Sequence, residues 1–194
     1  MASSNRQQQI VEVALDLVEE GGTEAVSTTT IAARIGVSQP AVFRHFATKE
    51  ALWLGVLDWL DGQLRQIRAR AVQAEGEDPF AVLGRTFSHH LKLVTERPAL
   101  AKLVFSDSLR SQFPSLDARF QQLHFAYHAD VEKLLRRASA SGRMSGDTKV
   151  RDAIAMYFAL IQGISFQMSI AHTGQYSPAD RARLFALFEK AVCT

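Results

Sequence analysis

Residues 28–46 read TTTIAARIGVSQPAVFRHF, and how this stretch folds decides the architecture. Thr28 to Ile35 makes a short helix ended by Gly36, and Ser38 can cap another running from Gln39 to Phe46. Two short helices joined by a Gly36-Val37-Ser38 turn are the sequence form of a helix-turn-helix. The run from Val26 to Ile31 is rich in β-branched residues, but it is short and flanked by helical patterns, which argues against a strand. With Val42 and Phe46 turned to the core, a rotation of about 100° per residue puts Pro40 and Arg44 on the opposite side, flanked by Gln39, Ala41 and Phe43. Such a helix fits the major groove of B-form DNA. Arg and Gln can pair there with guanine and adenine edges, and Pro or Ala can meet a thymine methyl.

The charge pattern supports that orientation. No acid lies between Glu24 and Glu50, whereas Arg34, Arg44, His45 and Lys49 all do. Residues 1–75 as a whole carry 7 bases and 9 acids, so attraction for a polyanion has to come from one face. Thr28 and Thr29 at the start of the first short helix, Ser38 at the cap and Lys49 beyond are placed for phosphate oxygens. Arg34 reads as a solvated surface residue.

Outward from this motif every segment is helical. Ile10, Val13, Ala14, Leu17 and Val18 follow helical spacing, with Ser4 and Gln7 spaced as a capping box and Gly21-Gly22 as the stop. Thr48 can cap a helix carrying Leu52, Val56, Leu57, Leu60, Leu64 and Ile67, which breaks near Glu75-Gly76. Further helices are expected from Asp78-Pro79 to about Arg97, from Pro98 to about Ser108, from Leu116 to Ser139, from Lys149 to Thr173, and from Ser177-Pro178 to the end, with a loop at 142–147. Only Phe43, Phe46, Trp53 and Trp59 of the aromatic residues precede Phe80, so the later part has the bulk for a large core or an apolar cavity.

The chain of 194 residues, 47% hydrophobic and with 22 bases against 20 acids, allows one or two compact domains and argues against wholesale disorder or a charged tail protein. Cys193 is the lone cysteine and matches no zinc or redox spacing. No signal-like apolar core precedes Glu12, and the longest apolar run, Ala153 to Ile161, is far short of the ~20 residues of a membrane span. A cytoplasmic protein without membrane contact is expected.

Residues 28–52, TTTIAARIGVSQPAVFRHFATKEAL, resemble the DNA-binding signature of the tetracycline-repressor (TetR/AcrR) family, closely over about residues 8–65. The remainder resembles the family only in helix number and length. The resemblance implies an all-α protein, with a DNA-binding domain at 1–50, a connecting helix over about 49–74, and a ligand-binding and dimerisation domain at 75–194. It further implies that Thr28, Ser38, His45 and Lys49 hold phosphates while Thr29, Gln39, Pro40, Ala41 and Arg44 meet base edges. Position 43 is usually tyrosine in that family. Phe43 here removes one phosphate hydrogen bond, worth about 0.5 to 1.5 kcal/mol.

The resemblance also implies a homodimer through the last two helices, and the composition agrees: residues 149–173 and 179–192 are too apolar for lone surface helices. Gly163, Ser165 and Ser169 would permit close helix approach. Twofold-related recognition helices would read a pseudo-palindromic operator with half-sites about 34 to 36 Å apart, or a multiple of that. Candidate residues for an effector pocket are Phe87, Phe105, Phe125, Phe158 and Phe166 as apolar lining, with His90, Tyr127, His128, Tyr157 and Gln162 to orient the molecule.

His124 and His128, four apart, and His89-His90 are the only candidates for metal ligands; lacking a cysteine or acidic triad, they read as pocket or surface histidines. No catalytic site and no cofactor is expected, since nucleophile elbow, phosphate-binding glycine loop and metalloprotease pair are all missing. The expected function is a ligand-responsive homodimeric repressor. The alternatives are a ligand-independent architectural or cell-division factor of the same fold, and a helical interaction protein with a vestigial DNA-binding face.

Overall fold

The computed structural model describes residues 2–72, 76–171 and 176–193, apart from the side chains of 2–4, 68, 70–72 and 169–171. Ten α-helices follow one another among them: α1 (Ala2–Gly21), α2 (Thr28–Ile35), α3 (Gln39–Phe43), α4 (Lys49–Val72), α5 (Pro79–Glu96), α6 (Ala99–Val104), α7 (Asp107–Gln112), α8 (Pro114–Ala140), α9 (Val150–Ala171) and α10 (Pro178–Val192). A 3-10 turn, Thr23–Ala25, links α1 to α2. The all-α expectation holds, and in the β-branched run from Val26 to Ile31 two extended residues, Val26 and Ser27, lead into α2 at Thr28.

Local chemistry explains most helix ends. Ser177 and Asp180 form a reciprocal capping box at α10, and the Thr48 hydroxyl accepts from the Ala51 N–H to open α4. Two expected helix bounds differ. α1 already begins at Ala2, so Ser4 lies inside the helix and not at its start. The segment expected as one helix from Pro98 to Ser108 is broken after Val104, where the Ser106 hydroxyl takes the Leu109 N–H and starts α7 instead. The expected break near Glu75-Gly76 falls partly on residues 73–75, outside the described residues, as does the expected helix end at Thr173.

The chain divides into two compact units, with the division falling inside α4, between α5 and α6, and inside α8. The first comprises residues 1–62 and 97–122. In it α1 packs on α2 and α6, and α2 on α3, around Ile10, Ala14, Leu15, Val18, Ile31, Val42 and Trp53. Polar ties brace the same unit: Arg97 donates to Asp16 at 2.6 Å, the Lys102 ammonium to the Glu19 carbonyl at 3.1 Å, and Arg119 to both Asp58 and the buried Asp61. The second unit, residues 63–96 and 123–194, packs α5, α9 and α10 around a core of Phe80, Phe87, Leu91, Tyr127, Leu135, Tyr157 and Phe188.

Candidate nucleic-acid interface

The motif at 28–46 is built from its caps inward. Ser27 accepts the Thr30 N–H while the Thr30 hydroxyl oxygen accepts the Ser27 N–H, a reciprocal box at the start of α2. Sequence reading missed this cap, although a serine three residues before a threonine carries the signal. Ile31 and Ala32 are buried, and α2 stops at Gly36, whose φ of 68° is the left-handed conformation that glycine adopts without a Cβ clash. The chain then turns through Val37 and Ser38 into α3, with Pro40 in the first turn.

Ser38 occupies the cap position, but its side chain makes no capping hydrogen bond; its carbonyl instead accepts the Ala41 N–H at 3.0 Å. α3 is shorter than expected, ending at Phe43; residues 44–45 close it as a turn, and the His45 and Phe46 N–H groups both donate to the Val42 carbonyl. Arg44 and His45 therefore stand at the helix end.

The helical phase is as expected. Val42 and Phe46 are buried; Gln39, Pro40, Phe43 and Arg44 are exposed, and Ala41 and His45 half-buried. Thr29 and Ser38 are exposed, Thr28 and Lys49 half-buried. Arg44, His45 and Lys49 make no side-chain hydrogen bond or ion pair with another described residue. Arg34 is different. It is exposed yet forms a bidentate pair with Glu20 on α1, at 2.9 and 2.7 Å, which raises its own pKa and lowers that of Glu20 chiefly through these hydrogen bonds. One further contact stands out: the Gln39 carboxamide Nε2 donates to the Thr28 hydroxyl at 3.0 Å.

Six of the candidate pocket residues come together in the second unit. Phe87 meets Tyr157 edge-on at 5.6 Å between ring centroids, Tyr127 meets Phe158 at 5.2 Å, His90 lies 5.1 Å from Tyr127, and His128 stacks flat on Phe158 at 3.9 Å. The Tyr127 and Tyr157 hydroxyls are 3.4 Å apart, and burial pushes the Tyr157 pKa well above its ordinary value. His90 is held neutral, its pKa pulled by burial down to about 4, and its Nδ1 is sealed from solvent without a partner among the described residues. Phe105, Phe125, Gln162 and Phe166 do not join the cluster: all four are exposed, and Phe105 belongs to the first unit.

His124 and His128 sit 4.4 Å apart by ring centroids, and burial lowers both pKa values. Among the described residues no three His, Cys, Asp or Glu side chains gather as a metal site would require. None of the described helices is long and apolar enough to cross a membrane.

The last two helices expose apolar residues among polar ones such as Gln162, Gln167, Arg183 and Lys190. Ala155, Ala159, Gly163 and Phe166 of α9 and Ala182, Ala186, Leu187 and Ala191 of α10 are exposed, Leu187 at 65%. Ser165 is a correction to the expected stripe: it is buried and donates to the Ile161 carbonyl at 2.7 Å, while the Ser169 side chain lies outside the described residues.

Comparison with known proteins agrees with this geometry. Residues 10–56 match the model of the bacterial regulatory proteins of the tetR family, a span that runs from the core of α1 through α2 and α3 into α4. The chain is 22% identical over 160 residues to the nucleoid occlusion factor SlmA of Marinomonas sp. (strain MWYL1), covering 82% of this chain and 81% of that one. Its fold is that of the TetR family regulator PfmR from Thermus thermophilus, with a TM-score of 0.78 at 21% identity over 93% of this chain and 97% of the other. The transcriptional regulator FadR from Bacillus subtilis, solved in complex with stearoyl-CoA, superposes with a TM-score of 0.74 at 19% identity over 94% and 95% of the two chains. The helix-turn-helix at 28–46 lies wholly inside residues 10–56, the segment that matches the model of the tetR family of bacterial regulatory proteins.

Proposed function

We propose that this protein is a homodimeric, sequence-specific DNA-binding regulator of transcription that releases its operator when a small molecule occupies the second unit. The outward side of α3 carries this reading: Gln39, Pro40 and Arg44 are exposed, without a carboxylate between Glu24 and Glu50 to repel phosphate. In this reading Thr29, Gln39, Pro40, Ala41 and Arg44 meet base edges, while Thr28, Ser38, His45 and Lys49 hold phosphates, with Phe43 packing beside them without the hydroxyl of a tyrosine. Residues 1–50 read DNA, the helix over 49–74 connects, and residues 75–194 take the effector and the second copy. The exposed apolar sides of α9 and α10 support dimerisation through these two helices.

The effector is a largely apolar small molecule. Phe87, Tyr127, Tyr157 and Phe158 supply apolar surface, and the unpartnered His90 Nδ1 supplies a polar group for orientation. Phe125, Gln162 and Phe166 are candidates only if they turn from the surface. Release follows if the effector binds more tightly to a dimer conformation whose recognition helices no longer match the half-site spacing. The protein works in the cytoplasm, where its DNA is, with no catalytic step, cofactor or membrane partner.

Footprinting tests the reading: inverted repeats in the DNA flanking the protein's own gene are offered to the purified chain. Protection of two half-sites about 34 to 36 Å apart, or a multiple of that, is expected. Absence of protection on any repeat, together with no enrichment from a random duplex library, overturns it. The similarity to a nucleoid occlusion factor over most of the chain supports a second reading, a DNA-binding factor without an effector. Genome-wide footprints at many unrelated sites, with neighbouring transcripts unchanged, would select that one.

A further inference from the structure

We infer that Thr28 holds the carboxamide of Gln39 so that each recognition helix selects adenine over guanine at one base pair of its half-site. The inference rests on the DNA-reading role proposed above and adds to it a positioning residue and the base that is read.

Gln39 opens α3 and is exposed, yet its amide is not free: Nε2 donates to the Thr28 hydroxyl, at the first position of α2, over 3.0 Å. The acceptor end of this tether is itself fixed, because the Ser27–Thr30 capping box sets the start of α2 and the packing of α2 on α3 sets the distance between the helices. A carboxamide has two N–H donors and one carbonyl acceptor. In the major groove guanine offers two acceptors, N7 and O6, whereas adenine offers the N7 acceptor beside the N6 donor. A paired contact with guanine therefore spends both N–H groups, and a paired contact with adenine spends one N–H and the carbonyl. Thr28 has already taken one N–H. What Gln39 has left is the complement of adenine. The Thr28 hydroxyl, having accepted from Gln39, keeps its own proton to donate to a phosphate oxygen, so one side chain serves register and base choice together. Fixing the amide in advance also lowers the conformational entropy lost when DNA arrives.

The test uses the intact chain and a duplex library with a randomised core, selected by binding and sequenced, for wild type, Gln39→Ala, Thr28→Val and Thr28→Ser. Gln39→Ala is expected to erase the base preference at one position per half-site, where wild type selects adenine. Thr28→Val, which keeps the shape and loses the acceptor, is expected to reduce the adenine-over-guanine preference at that position by about threefold to tenfold, the worth of one hydrogen bond. Preferences elsewhere stay as in wild type, and Thr28→Ser restores the lost one. This ratio is read within one sample, so a partial loss of folded protein does not move it. An unchanged adenine preference in Thr28→Val, guanine at the Gln39 position, or a Gln39→Ala profile equal to that of wild type overturns the inference. A wild-type chain that enriches no motif overturns the DNA-reading function itself, a separate and recognisable failure.

Discussion

Two glycines in α4 offer a controlled test of how firmly α3 and the turn after it are anchored. A Cβ placed on Gly55 would lie 2.6 Å from Cε1 and 3.0 Å from Cζ of Phe46, while one on Gly62 would meet nothing within 4 Å. Both positions lie inside the same helix, so replacing either with alanine gains the same ~1 kcal/mol of helix propensity. That contribution cancels in the comparison, and what separates the two variants is the cost of pushing back a buried ring, about 1 to 3 kcal/mol for overpacking. Gly62→Ala should therefore unfold at a higher temperature than wild type. Gly55→Ala should fall below Gly62→Ala by roughly 2 to 4 °C per kcal/mol in a chain of this length, followed by far-UV circular dichroism. Val42 in α3 and Phe46 just beyond it are buried, so Gly55→Ala should also weaken binding to a selected operator while Gly62→Ala leaves it unchanged. Adding Phe46→Leu should recover part of the stability of Gly55→Ala by making room. Equal melting temperatures for the two alanine variants would refute the reasoning, because the contact would then carry no cost.

Ser27→Ala removes the capping box of α2 and should cost about 1 kcal/mol in urea unfolding, with faster amide exchange in the first turn of α2; unchanged stability would show that the box does not hold the helix. His90 stays neutral in the folded chain down to about 4 but titrates near 6.5 when unfolded, so between these values the unfolded state binds a proton that the folded state refuses. Stability is thus lost as pH falls through that window, by about 2 kcal/mol at roughly pH 5, and His90→Gln should lack this loss. Parallel pH profiles for wild type and variant would contradict the burial of that imidazole. Leu187→Glu places a charge on the exposed side of α10 and should convert a dimer to monomers in light scattering, lowering operator affinity with it; a variant that stays dimeric would move the interface elsewhere.

The helix-turn-helix was legible because its punctuation is chemical and local. Gly36 has to end α2 in the left-handed conformation, Pro40 fits only a first helical turn, and the spacing of Val42 and Phe46 fixes which side of α3 faces out. Finer features depended on competition between neighbouring groups. The Ser38 side chain takes no capping bond, Ser27 and Thr30 pair with each other, and Arg34 finds Glu20 across fourteen residues of sequence. A lone helical pattern contains none of these choices. The candidate pocket residues were harder still, because α9 is apolar on two sides. Tyr157 and Phe158 turn into the core and Phe166 turns out, and periodicity reports that a side is apolar without reporting what covers it. Ser106 divides the expected single helix after Pro98 for a similar reason: a serine reads equally well as an exposed helical residue and as a cap.

The most direct measurement is the salt dependence of binding between the intact chain and a duplex carrying its selected operator. Phosphate neutralisation gives log affinity a slope against log salt of about −0.9 per contact. The account predicts a slope of several negative units, shallower by about one for each recognition helix in Lys49→Ala. Arg44→Ala should instead lose about 1 to 3 kcal/mol on the operator and relax one base position. A slope near zero for wild type, or equal and sequence-blind losses in both variants, would contradict the claim that α3 reads the major groove with Lys49 on the phosphates.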